Sequence, residues 1–143
     1  MFLARRLVLA HLWVAFAAFA AAIVLGEWQM YVRSPLSAWV NNPEHYYRSV
    51  TAHGTVMAYV LPTLVAMGYG YALVELSLGR ALRGLRWAWA GFGLVVAGTL
   101  LAAATMAAGR ASVLYTFYPP MVGHPLYYIG VVLVVVGSWI WVA

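Results

Sequence analysis

Long apolar runs alternate along the chain with short segments in which charged residues, prolines and asparagines gather, and this pattern predicts four helices. Leu7 to Leu25 runs without a charge, with His11 near its start, and reads as a membrane-spanning helix, since long apolar runs with few charges mark such spans. Gly26 to Glu44 mixes Glu27, Arg33, Pro35, Asn41, Asn42 and Pro43 with Trp28, Tyr31 and Trp39. It is expected to be an interfacial loop with its aromatics at headgroup level, its middle suited to a short amphipathic helix on the membrane surface. His45 to Leu78 is a second helix, long enough to tilt or to protrude from a hydrocarbon layer of ~30 Å. Pro62 lies inside it; proline lacks the amide proton and frees the carbonyl of Ala58, which predicts a kink and a neighbour that satisfies the carbonyl. Gly54, Gly68 and Gly70 admit close approach of another helix or of a flat cofactor.

Gly79 to Arg86 reads as a basic turn, and Trp87 to Ala108 as a third helix rich in small residues. Gly109 to Pro125 is a second connection, where Pro119, Pro120 and Pro125 forbid a continuous helix. Leu126 to Ala143 begins a fourth helix that is barely a membrane span. The expected fold is an all-α, polytopic transmembrane helix bundle, three full spans plus a truncated fourth, in a single membrane domain over 1–143.

Composition supports a membrane chain. Of 143 residues, 66% are hydrophobic and 8% charged, against about 25% charged in soluble domains. The net charge of +5 comes from eight basic residues, all arginine, placed singly or in pairs beside apolar runs. That is a topology signal rather than a phosphate-binding patch, so no nucleic-acid partner is expected. Arg5, Arg6, Arg80, Arg83 and Arg86 fall at one end of the predicted helices and Arg33, Arg48 and Arg110 at the other, which assigns the N-terminus to the cytoplasm and both long connections to the outer side. The chain has no cysteine, which removes disulfides, thiolate metal sites and covalent haem attachment. The apolar run after Arg5-Arg6 is roughly twice the length of a signal-peptide core and is therefore read as a retained helix.

Ionisable side chains at membrane depth are costly and mark functional sites. His53 is such a residue, just inside the outer end of the second helix. Imidazole is a common metal ligand and haem iron takes one or two axial protein ligands. Ser49, Val50, Gly54 and Met57 share its face by their offsets of three and four, and small side chains there would leave room for a porphyrin. The other reading of His53 is a hydrogen bond between helices. His11 sits near the inner end of the first helix, at a depth that differs by about 15–20 Å at 1.5 Å rise per residue, so it is read as structural; His45 and His124 belong to the outer connections. Glu75 lies a turn from the inner end, where an ion pair with Arg80 is expected and proton uptake is the alternative.

Tyr46-Tyr47-x-x-x-Thr51-x-His53-Gly54 on the second helix, with Val113-Leu114-Tyr115-Thr116-Phe117-Tyr118-Pro119-Pro120 and Gly123-His124 after the third, resembles subunit I of the haem-copper oxidases, most closely the B-family of cytochrome ba type. The likeness runs from about Tyr46 to the end. It implies that His53 is an axial ligand of a low-spin haem, b or a, whose other ligand lies on a tenth helix, and that Tyr115 faces the haem propionates. The Asp-Met-Ala-Phe-Pro-type motif of A-family members is absent from Gly79 to Arg86. The resemblance further implies a high-spin haem and copper B held by later helices of a full subunit I. It also implies a partner subunit II with a dicopper centre, cytochrome c as donor, proton translocation, and a prokaryotic inner membrane. The chain by itself lacks an oxygen-reduction site, and is expected to be a fragment or a split piece of such a subunit. Two other readings are a nitric oxide reductase-like subunit, against which the Tyr-Pro-Pro segment argues, and a haem-free membrane scaffold or transporter.

Overall fold

Four rods of helix follow from the apolar runs, and one boundary, the end of the first helix, lies well beyond the one the sequence suggests. The computed structural model describes residues 4–37, 42–114, 116–119 and 121–142. Helix α1 spans Arg5–Val32, about 42 Å at 1.5 Å rise per residue, and so outruns a hydrocarbon layer of ~30 Å. The expected loop from Gly26 is thus helical for its first seven residues, Gly26 to Val32. Polar side chains alone do not end a helix. Gln29 is buried and donates from Nε2 to the Ser49 carbonyl at 3.1 Å, so its burial is satisfied. The terminator is Pro35, which opens a single 3-10 turn, Pro35–Ser37, so the described middle of the segment holds the end of α1 and that one turn in place of the expected surface helix; residues 38–41 lie outside the described residues.

Asn42 caps the next rod, its Oδ1 accepting from the Glu44 amide at 3.0 Å, and Pro43 occupies the first helical position where a missing N–H is harmless. The rod comprises α2 (Pro43–Thr55), a π-turn (Val56–Val60) and α3 (Leu61–Leu78). The disturbance expected from Pro62 is taken up by that π-turn, in which Leu61 N–H reaches back to the Val56 carbonyl, five residues away. Gly79 in the left-handed region closes α3, α4 spans Leu85–Ala107, and α5 spans Pro125–Val142. Among the described residues, α1, the Pro43–Leu78 rod and α4 are long and apolar enough to cross a membrane.

The helices pack as two pairs, α1 along α2 and α3, and α4 along α5. The second pair is joined through glycines at matching levels: a Cβ on Gly91 would lie 2.9 Å from the Gly137 carbonyl oxygen, and one on Gly130 would lie 2.7 Å from that of Gly98. In a membrane, such small-residue seams replace the hydrophobic drive that water supplies elsewhere. Gly98→Leu is therefore expected to separate α4 from α5 and abolish assembly, read as loss of the protein from the detergent-soluble membrane fraction; Gly93→Leu, with open space around its Cβ, serves as the silent control. Gly68 and Gly70 also serve helix packing, against the His11 side chain and Trp141.

The two ends of the bundle differ as the arginine pattern implies. Ala4, beside Arg5 and Arg6, and Leu82 of the 79–84 turn both donate to Glu75, whereas Arg48 reaches the Gly109 carbonyl at the opposite end.

Candidate functional site

His53 faces α1 in the half of the bundle remote from the Ala4 end. Its Nδ1 lies 2.8 Å from the carbonyl oxygen of Ala22, and because a carbonyl only accepts, that nitrogen carries the proton. This contact selects the tautomer of an uncharged ring that carries its lone pair on Nε2, which has no hydrogen-bond partner among the described residues. This is how metal-binding histidines are commonly held: the second nitrogen donates to a carbonyl or carboxylate and fixes the ring. Gly26, one turn beyond Ala22, makes the space; a Cβ there would sit 3.2 Å from Cε1 and 3.4 Å from Nδ1 of His53. Ala22, Gly26 and Gln29 thus form one face of α1 that holds α2 in place. The sequence reading missed this face because it ended the helix at Leu25; the four- and three-residue spacing continuing past that point was the available signal.

The opposite side of α2 is tied to the connection that follows α4. Arg48 pairs with Glu44 at 2.6 Å and extends toward the Gly109 carbonyl at 3.4 Å. Thr51 Oγ1 accepts the Leu114 amide at 2.9 Å, and Thr55 shares a 2.7 Å hydrogen bond with the Tyr127 hydroxyl. The connection is narrowed by the Ala111 and Gly123 bridge and by His124 N–H donating to the Arg110 carbonyl at 2.8 Å. Phe117 stacks on Tyr59 with ring centres 6.1 Å apart and packs on Tyr127 and Tyr128. Tyr115, the residue for which a propionate contact is expected, lies outside the described residues.

The small-residue face expected around His53 is not open. Ser49 and Gly54 are buried in helix packing. The open space lies to one side, a groove of about 600 Å³ between α1, α2 and α4, bounded by Leu25, Trp28, Ser49, Ala52, Val56 and Met106, with Arg48 at its rim, so that Ser49 alone of the expected face reaches it. His45 is exposed and lines the same rim. The His53 ring is not among the residues that line it.

His11 belongs elsewhere. It is wholly buried, its Nδ1 is 2.8 Å from the Leu7 carbonyl, and its ring packs on Tyr71 and Phe92. Ala22, the level of His53 on α1, is eleven residues farther along, about 16 Å at 1.5 Å per residue, so the two histidines cannot share one ion. Among the described residues no three His, Asp or Glu side chains converge on a common point, which leaves His53 as a single-ligand candidate. His124 orders its own loop, Nδ1 accepting from the Leu126 amide at 3.2 Å at the start of α5.

Glu75 corrects the ion-pair expectation. Its carboxylate is turned inward, 3% exposed, and accepts from the Ala4 amide at 3.2 and 3.4 Å and from the Leu82 amide at 3.1 Å, with no contact to Arg80. Two backbone donors at the start of α1 and in the turn before α4 satisfy it better than an exposed, flexible guanidinium would. Glu75→Ala leaves both donors without a partner at about 1–3 kcal/mol each, so a lower unfolding temperature in detergent is expected; Glu75→Gln, which keeps an acceptor oxygen, should lose about half as much.

A histidine with one nitrogen committed to a carbonyl and the other unpaired is chemically able to ligate a metal, and the family of the chain is shown by its likeness to known proteins. The sequence profile of the cytochrome c and quinol oxidase polypeptide I family matches residues 6–143. The chain belongs to that family. It is 39% identical over 101 residues to cytochrome c oxidase subunit 1 of Thermus thermophilus, a match covering 68% of this chain and 17% of the Thermus protein. It is also similar to a chain of a haem-copper terminal oxidase dimer solved by cryo-electron microscopy, with a TM-score of 0.85 and 36% identity over 93% of this chain and 23% of that one. The chain therefore spans about a fifth of the length of these relatives. As a member of the polypeptide I family with three spanning helices it is an integral membrane protein.

Proposed function

We propose that the chain is the N-terminal part of the catalytic subunit of a B-family respiratory terminal oxidase, and that His53 is an axial ligand of its low-spin haem. The observation that carries the ligand role is the 2.8 Å contact between His53 Nδ1 and the Ala22 carbonyl, which presents Nε2 as a lone-pair donor. The residues fit the group. The Gly26 cradle holds the imidazole from behind, and the connection tied to Thr51 and Thr55 closes the outer end of α2.

Haem, when bound, supplies one-electron redox chemistry and is non-covalently held, since the chain has no cysteine. The work of this chain is positional: α1 fixes the tautomer and plane of His53, and the apolar packing of α1 to α5 keeps water from the inner face of the site. The second axial ligand, the high-spin haem and copper B belong to parts of subunit I outside this chain. Subunit II with a dicopper centre is the electron entry point, with cytochrome c as donor, and the complex reduces oxygen and translocates protons. The single membrane domain sits in a prokaryotic inner membrane with its N-terminus in the cytoplasm and the haem toward the outer side. Five arginines at the Ala4 end against three at the other support that orientation. That Gly79 to Arg86 carries no Asp-Met-Ala-Phe-Pro-type motif supports the B-family. The test is spectroscopic. In the purified complex the low-spin haem band should vanish with His53→Ala and persist with His11→Ala; an unchanged spectrum in the first variant would overturn the ligand role.

A further inference from the structure

We infer that Thr51 is a positioning residue for His53, acting through the backbone of α2 by anchoring the connection on the far side of the helix. The inference rests on the haem-ligand reading of His53. Two residues along a helix is about 200° of rotation, so Thr51 and His53 leave α2 in nearly opposite directions. On the His53 side the helix is held by the Ala22 carbonyl and by Gln29 on the Ser49 carbonyl. On the Thr51 side α2 packs only lightly on α4, and the grip is polar. Thr51 is 0% exposed, and its hydroxyl is used twice, donating to the Tyr47 carbonyl at 2.8 Å and accepting from the Leu114 amide at 2.9 Å.

Leu114 is not an ordinary loop residue. Its φ of 59° lies in the left-handed region, where a branched side chain without a local hydrogen bond is disfavoured and persists only when its surroundings over-determine it. Phe117, three residues on, is also left-handed, at 56°, and is held by stacking on Tyr59 of the same rod. The connection is therefore a strained brace whose two unfavourable residues are both fixed by side chains of the His53 helix. A brace on one side and the Ala22 and Gln29 contacts on the other fix the rotation of α2 about its axis, and that rotation sets the plane of the His53 ring. Arg48 and Thr55 at either end of the same stripe, and Ala52 packed on the cluster of Met106, Val113 and Tyr127, are the other described contacts that oppose a roll toward α4.

The experiment uses the intact oxidase complex. Thr51→Val keeps shape and removes the hydroxyl, leaving the Leu114 amide unpaired; Thr51→Ser keeps the hydroxyl. Thr51→Val is expected to retain low-spin haem but to shift its electron paramagnetic resonance g-values and midpoint potential, and to speed hydrogen exchange at Leu114. Thr51→Ser should restore all three to wild type. If Thr51→Val prevents assembly, Thr51→Cys, a weaker acceptor of similar size, decides: intermediate shifts support the inference and wild-type values overturn it. A Thr51→Val complex with faster exchange at Leu114 but wild-type g-values and potential overturns the positioning role while leaving His53 as ligand. Retention of the haem in His53→Ala would instead remove the reading on which the inference rests.

Discussion

His53→Ala is expected to remove the low-spin haem from the assembled complex while leaving the helices of this chain in place. The second half of that expectation follows from how little the ring contributes to the bundle. It is only partly buried, makes one hydrogen bond, and a single such bond is worth about 0.5–1.5 kcal/mol net. Alanine is the best helix former, so α2 loses nothing as a helix. The first half follows from the absence of a substitute. His11 is about 16 Å away along α1, and its Nε2 is enclosed by Tyr71 and Phe92. His45 is exposed at the rim of the neighbouring groove, two turns up the same helix. Loss of an outer-shell partner typically costs 10–100-fold in affinity or activity; loss of the ligand itself should exceed that, so steady-state oxidation of donor falls by more than about 100-fold. The measurement is the reduced-minus-oxidised spectrum with circular dichroism on the same sample. A complex that keeps its low-spin band with alanine at this position would show that the imidazole binds only the Ala22 carbonyl, and that the haem-free reading of His53 is the right one.

Much of this was legible in the sequence, for physical reasons that can be separated. Three of the four rods lie within two residues of the expected bounds at both ends, because apolar length in a membrane chain is a strong constraint and because Pro43, Gly79 and Pro125 punctuate the chain where backbone hydrogen bonding must stop. The end of α1 lies seven residues beyond the expected Leu25, because Glu27 and Arg33 among aromatics read as an interfacial loop, whereas the helix continues with Gln29 buried on a carbonyl of the next helix. His53 stood out as an ionisable group at depth, but not its orientation, which depends on Ala22 and Gly26 of a different helix. Glu75 was seen as costly and assigned the nearest cation. Its real partners are backbone amides of Ala4 and Leu82, which no pattern of side-chain charge can reveal. The π-turn at Val56–Val60 was likewise hidden: Pro62 announces a disturbance of the hydrogen-bond ladder, but whether the chain bends or inserts a residue depends on what packs against it.

Gly26 is where the second large effect is expected, and the argument begins with its cost. Glycine inside a helix is less favourable than alanine by about 0.8–1.0 kcal/mol, so Gly26→Ala should raise the thermal stability of α1 if the space beside it were empty. It is not empty. An added Cβ would stand 3.2 Å from Cε1 and 3.4 Å from Nδ1 of the His53 ring, closer than such contacts normally come, and the ring must yield by a few tenths of an ångström. It cannot do so freely, because its Nδ1 is held 2.8 Å from a carbonyl on the same helix, one turn away; moving off Gly26 lengthens the bond to Ala22. Gly26→Ala is therefore expected to leave haem bound with a shifted spectrum and potential. Gly26→Val, whose γ-carbons add to the clash, should break the Ala22 contact and turn the imidazole, lowering low-spin haem content by the roughly 10–100-fold that disruption of an orienting shell brings. The two variants form a graded series whose readout is the haem and not the fold, since both residues are compatible with helix. If Gly26→Val binds haem with wild-type spectrum and occupancy, the α1 face does not orient the ligand, and the contact with Ala22 is only a feature of helix packing. If it loses haem while Gly93→Val, at an open position of α4, does not, then the ligand on α2 is set by a residue on α1 that contributes no side chain at all.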